Sequence, residues 1–173
     1  MKSKIMKIND KKLNIKSQSI SDIKIIAHNI KEDERGYFER MFCDNELSKI
    51  FKDKKIVQIN RTRTLKKGTI RGMHFQVYPY QELKIVQCIS GRILDIVIDI
   101  RSKSPTYMQY CEVELSEKNN EGLLVPEGFA HGFQTLEDNV DLIYFHSNFY
   151  NPGYEKGLNP LDNYFNFAVA HLL

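Results

Sequence analysis

The chain has 173 residues, 42% of them hydrophobic and 27% charged. These are the proportions of a soluble globular protein of about one domain, long enough to bury a sizeable core, and they exclude a chain disordered throughout. Twenty-five lysines and arginines against 22 acids leave a net charge of +3. That is too little for the concentrated basic footprint of a nucleic-acid binder, though compatible with an anionic small molecule.

The first sixteen residues, MKSKIMKINDKKLNIK, carry six lysines and no apolar stretch. This is neither a secretory signal nor a membrane span, so no membrane partner is expected. Residues 1–19 are expected to form a solvated lead-in to a single domain over residues 20–173. From there the chain reads as short alternating runs. Strands are expected at Ile23–Asn29, Tyr37–Phe42, Lys55–Thr64, Thr69–Gln76, Leu83–Ile89, Arg92–Ile100, Tyr107–Leu115, Gly122–Val125, His131–Leu136 and Val140–Ser147. Turn residues separate them, among them Asp33–Gly36, Lys66–Gly68, Ser90–Gly91 and Lys118–Gly122. One short helix is expected over Asp44–Phe51, capped by Asp44 or Asn45. Many short strands at near-regular spacing predict an all-β sandwich or jelly roll.

Side chains alternate across a strand. In Arg92–Ile100 this puts Leu94, Ile96, Ile98 and Ile100 on one face and Asp95 and Asp99 on the other, with Ile93 and Val97. It also aligns Gly72 with His74 and Gln76, and Leu142 with Tyr144 and His146. Polar groups beside large apolar ones fit either a ligand-holding barrel interior or a solvated outer face. A barrel metal site usually takes two ligands from one strand at i and i+2. His74 has Gln76 there, His131 has Phe133, and nothing completes a set around His146, so no metal is expected. Cys43, Cys88 and Cys111 are widely spaced with no CxxC. They read as free thiols in a reducing, cytoplasmic compartment.

The segment Gly122-Leu-Leu-Val-Pro126-Glu-Gly128-Phe-Ala-His131 resembles the second motif of the cupins, the small-barrel jelly rolls. More specifically, a set of blocks in order is similar to the dTDP-4-dehydrorhamnose 3,5-epimerase family. These are Arg71-Gly-Met-His74-Phe-Gln76, Lys84-Ile-Val, Gly91 to Arg101, Ser104-Pro105-Thr106 and Val125 to Phe133. The resemblance runs from about Ile23 to Asp162. It implies a cupin-type jelly-roll β-barrel with a few short helices, forming a homodimer and working without metal or cofactor. The implied reaction inverts C3 and C5 of a nucleotide-linked 4-keto-6-deoxyhexose. A ketone at C4 acidifies both neighbouring carbons, so the site needs a base on one ring face, an acid on the other, and donors at the enolate oxygen.

In this resemblance His74 matches the base and Tyr144 the acid. Lys84 matches the cation at the oxyanion, with Asp95 fixing it or compensating at the base. Gln58, Asn60 and Arg71 match sugar and phosphate contacts, and His131 a sugar-binding histidine. Arg35 matches a nucleotide-binding arginine and Tyr150 an aromatic that stacks on the base. A neighbouring subunit is implied to complete the nucleotide site. Two departures stand out. Where many members place a base-facing carboxylate five residues after the arginine, this chain has Arg40, next to Glu39. The family's late aspartate, partner of the base histidine, has no match before His171-Leu172-Leu173, and Asn166–Leu173 lacks the usual Trp-Pro; a weaker epimerase is the expectation. The alternatives are a 3-epimerase or 3,4-ketoisomerase on the same substrates, or a non-catalytic sugar-nucleotide-binding cupin.

Overall fold

A computed structural model describes residues 12–20, 22–165 and 167. Thirteen strands and one helix follow one another as β1 (Leu13–Ser17), β2 (Lys24–His28), β3 (Lys31–Asp33), β4 (Gly36–Phe38), α1 (Asp44–Phe51), β5 (Gln58–Thr64), β6 (Ile70–Gln76), β7 (Lys84–Ser90), β8 (Arg92–Asp99), β9 (Tyr110–Ser116), β10 (Glu121–Val125), β11 (Phe129–Thr135), β12 (Val140–His146) and β13 (Glu155–Gly157). Two antiparallel sheets, ordered β1-β2-β10-β7-β12-β5 and β13-β6-β11-β8-β9, face one another, and β3 and β4 form a separate hairpin. This is the expected all-β jelly-roll layout. No helix among the described residues is long and apolar enough to cross a membrane.

Three apolar clusters explain why the strands lack a simple apolar/polar alternation. The central one lies between the sheets and joins Ile25, Val86 and Leu123 of one to Val97, Leu115 and Phe133 of the other. A second packs α1, through Leu47 and Phe51, onto the outer face of the six-stranded sheet at Ile26, Ile85 and Phe145. A third places Phe165 and Phe167 against Met73, Ile96 and Ile98 on the outer face of the other sheet. Strand β8 is therefore buried on both faces, Ile93 and Val97 inward, Ile96 and Ile98 outward. Strands covered on both faces carry near-continuous apolar runs.

The helix follows its period, Leu47 and Phe51 falling one turn apart on the buried stripe. Neither Asp44 nor Asn45 is its cap. Cys43 stands at that position without a side-chain cap bond, and the Asp44 carboxylate pairs with Lys55 Nζ at 2.8 Å. The helix is anchored instead by Glu46, which accepts from the backbone N–H groups of Lys12 and Leu13, both at 2.9 Å, and pairs with Arg40. Within the expected lead-in, the described residues 12–17 are thus tied to the fold. Leu13–Ser17 pairs with Lys24–His28 at the sheet edge, Leu13 buried and residues 14–17 turned to solvent.

Asp99, at the end of β8, accepts from Arg101, Ser104 and Thr106 at 2.6–2.8 Å. Despite burial, those donors hold its carboxyl far below the usual carboxylate range. The Asp99…Arg101…Ser104-Pro105-Thr106 pattern therefore ties down a turn rather than lining the site.

Candidate active site

One cavity of about 280 Å³ opens between the two sheets. On one wall, β6 contributes Arg71 and His74, and β11 contributes His131. On the other, β12 contributes Tyr144 and His146, flanked by Asn60 of β5 and Lys84 of β7. His74 and Tyr144 thus stand on different sheets and face one space. His74 and His131 are direct cross-strand partners.

The β6–β11 pairing shifts register between His131 and Phe133. Strict alternation would separate Arg71 from His74, yet both line the cavity. Glycine makes the close approach possible: a Cβ on Gly72, whose φ is +122°, would lie 2.5 Å from the Gly132 Cα and 2.8 Å from the His131 carbonyl oxygen. Only glycine meets both the backbone angle and the contact.

Electrostatics suit opposite roles for the two groups. Burial, with Lys84 and His131 nearby, holds the His74 imidazole below its ordinary pKa, although Glu155 pulls the other way. It is therefore neutral at neutral pH and able to accept a proton. Burial, reinforced by Asp95, pushes the Tyr144 hydroxyl up, so it stays protonated and able to donate.

Asp95 is fully buried, and its Oδ2 lies 2.9 Å from His131 Nε2. Burial raises its pKa while His131 and Lys84 oppose that rise. Asp95 was expected to fix Lys84 or compensate at His74; the register that sets His131 beside Val97 and Phe133 beside Asp95 gives its Oδ2 to His131 instead, and Lys84 acts on it through charge. The ion-pair partner of Lys84 is Glu82, 3.5 Å away.

The other expected residues divide by location. Asn60, Arg71, His131 and Tyr150 line the cavity. Gln58 works one step back, accepting the Tyr150 backbone N–H at 3.1 Å. Arg35 lies apart on the β3–β4 hairpin, exposed and paired with Asp33 at 2.6 Å. Glu39 and Arg40 are both engaged, by His28 at 2.5 Å and by Glu46. Asn166 and residues 168–173, where the late-aspartate departure falls, lie outside the described residues.

Seven cavity residues were not singled out as contacts from sequence: Thr62, Phe75, Gln76, Glu82, Phe133, His146 and Glu155. Gln76 holds the 149–151 loop, accepting from Asn151 N–H at 2.7 Å and donating to the Phe149 carbonyl at 3.3 Å. Its parity with His74, and that of His146 with Tyr144, were the available signals. Among the described residues, no group of three or more His, Cys, Asp and Glu side chains could hold a metal ion.

A family model described as dTDP-4-dehydrorhamnose 3,5-epimerase matches residues 17–172. The chain belongs to that family. A dTDP-4-dehydrorhamnose 3,5-epimerase from Shigella flexneri is 37% identical over 84% of this chain and 81% of its own length. The solved dTDP-4-dehydrorhamnose 3,5-epimerase from Bacillus anthracis, with TDP and pyrophosphate bound, superposes with a TM-score of 0.86 at 32% identity, over 90% of this chain and 89% of that one. The Legionella pneumophila dTDP-6-deoxy-D-glucose-3,5-epimerase, in complex with dTDP-4-keto-L-rhamnose, gives 0.83 at 35% identity, over 87% and 79%. Membership in the epimerase family and the cupin jelly roll expected from the sequence agree with the two-sheet fold and its cavity.

Proposed function

We propose that this chain inverts C3 and C5 of a dTDP-linked 4-keto-6-deoxyhexose by enolisation. The observation that carries the reading is the pair His74 and Tyr144 on opposite walls of one cavity, the first held neutral and the second held protonated. His74 removes the proton beside the ketone. The electron pair moves into the C4 carbonyl, and the enolate oxygen takes its stabilisation from the Lys84 ammonium. Proton return from the Tyr144 face inverts the carbon; the phenolate then recovers a proton from solvent and the His74 imidazolium releases one to it, restoring both groups. His131, oriented by Asp95, binds the sugar. Incubation with dTDP-4-keto-6-deoxyglucose in deuterated water, followed by NMR, tests this directly. Deuterium at both C3 and C5 with inversion is expected. Label at C3 alone would make it a 3-epimerase, and binding without label would leave only a sugar-nucleotide-binding cupin.

Tyr144→Phe should slow C5 inversion about 100-fold while C3 exchange continues. The ring and its packing survive the substitution, so only the proton is lost. Full C5 inversion in the variant would reduce Tyr144 to a packed core residue.

We also infer a homodimer in which the β3–β4 hairpin reaches the partner's cavity. The hairpin exposes Arg35 together with Tyr37 (67%) and Phe38 (57%), away from this chain's own site. Arginine suits a diphosphate through paired charge-assisted hydrogen bonds. Arg35→Ala and Arg71→Ala should each raise KM about tenfold with kcat largely kept. An unchanged KM for Arg35→Ala would return the hairpin to a solvated loop.

A further inference from the structure

Glu82 and His146 form a buried cluster inside the cavity that the reaction above does not use. Strand pairing sets His146 opposite Gln58 on β5 and Lys84 on β7. Glu82 precedes Lys84 by two residues and bridges this pair: its Oε2 lies 2.7 Å from His146 Nδ1 and its Oε1 3.5 Å from Lys84 Nζ. The segment is clamped in place, since Leu83 N–H donates to Ser147 Oγ at 2.8 Å and Ser147 N–H to the Leu83 carbonyl at 2.9 Å. The side chains of Glu82, Lys84 and His146 are only 11%, 9% and 12% exposed.

An ionised carboxylate is a poor lining for a cavity that takes a diphosphate. Burial raises the Glu82 pKa, but the His146 hydrogen bond and the Lys84 charge outweigh burial and keep it ionised. Glu82 and Lys84 together carry no net charge. A proton on His146 makes the cluster cationic. The hydrogen-bond polarity changes in the same direction. With Nδ1–H donated to Glu82, neutral His146 presents a bare Nε2, which accepts from the Asn60 amide 3.3 Å away. Only the protonated ring donates from both nitrogens, to Glu82 on one side and to a phosphate oxygen on the other.

Resting on the sugar-nucleotide reading above, we propose that His146, held by Glu82, is a diphosphate-binding residue that takes up a proton when the ligand binds. Its place along the chain fits. On that reading Tyr144, two residues before it, meets the sugar, and Tyr150, four residues after it and exposed, meets the base. The diphosphate joins those two ends. The other charged or titratable groups facing this space are Arg71, His74 and His131 on the opposite wall, Tyr144 and Tyr150 on its own side, and Glu155 on β13. Arg71 favours the anion at any pH, and Glu155, bonded to the Tyr150 hydroxyl at 2.8 Å, opposes it.

The sign follows from linkage. A group that binds a proton together with the ligand favours that ligand at low pH, and the advantage is lost as pH climbs. Affinity should fall about tenfold between about pH 6 and about pH 8, one pKa step's worth. Calorimetry with dTDP-glucose tests this, because that ligand lacks the ketone and its diphosphate diester does not titrate near neutrality. Titrations at about pH 7 in two buffers of different ionisation enthalpy count the protons taken up. The wild-type protein should take up a large fraction of one proton, and His146→Gln should lose most of it. Glu82→Gln, which keeps a hydrogen-bonding amide and removes the charge, should also take up less and should bind more tightly than wild type at about pH 8, where Lys84 is left unopposed. Uptake equal in wild type and His146→Gln, or uptake lost only in His74→Gln, overturns the proposal while leaving the epimerase reading intact. No binding of dTDP-glucose by the wild-type protein overturns the sugar-nucleotide reading itself.

Discussion

His74→Asn should lower deuterium incorporation at both C3 and C5 by about 10²- to 10⁴-fold, the usual loss when a positioned base is removed. Asparagine keeps a polar side chain of similar reach and removes the basic nitrogen, so dTDP binding should be largely retained. His131, the neighbouring imidazole, is no substitute, because its Nε2 is committed to Asp95 at 2.9 Å. The pH profile offers a second check. Burial, Lys84 and His131 hold His74 below its ordinary pKa, so the acid limb of kcat/KM should fall below the ordinary histidine value of about 6.5. Exchange in the variant at the wild-type rate would move the base elsewhere in the cavity.

Gly72→Ala should destabilise the fold by about 3 kcal/mol or more, combining overpacking against backbone with a left-handed φ. The new Cβ would sit 2.5 Å from the Gly132 Cα and 2.8 Å from the His131 carbonyl oxygen. Both are main-chain atoms, so relief requires β6 and β11 to part. His74 is two residues along β6 and pairs with His131, so the protein that still folds should also lose epimerase activity. Gly36→Ala is the matched control: its φ is +125°, but nothing lies within 4 Å of the added methyl. Denaturant unfolding of both variants separates the two costs. An equal, small loss at both positions would mean that backbone angle alone, not the β6–β11 contact, explains Gly72.

Much of the fold was legible because strand and helix patterns are local. The helix over Asp44–Phe51 has the bounds expected from its period, and the runs expected at residues 92–100, 140–147 and 69–76 contain β8, β12 and β6. Three short strands were missed. β1 lies in a lysine-rich stretch, where Leu13 is its only buried apolar residue and Ile15 is exposed. β3 (Lys-Glu-Asp) and β13 (Glu-Lys-Gly) have no apolar face to display. Such segments become strands through their partners' hydrogen bonds, not through side-chain burial.

By itself the sequence determined that this is an all-β domain and which strand faces mix polar with apolar groups. It also marked His74, Tyr144 and Lys84 as the groups on which the implied chemistry rests. Its family blocks pointed to the epimerases, because a motif string survives without knowledge of contacts. Tertiary structure alone decided which charges meet. Asp95 and His131 are 36 residues apart, and Glu82 and His146 are 64 apart. Alternation says which way a side chain points, not which strand lies opposite. Strand order and register supply that, and here they bring β8 beside β11 and β7 beside β12. The one-residue slip in β6–β11, permitted by two glycines in contact, then places Arg71 and His74 in the same cavity. That contact is a property of two strands packed together, so no reading of either strand alone contains it.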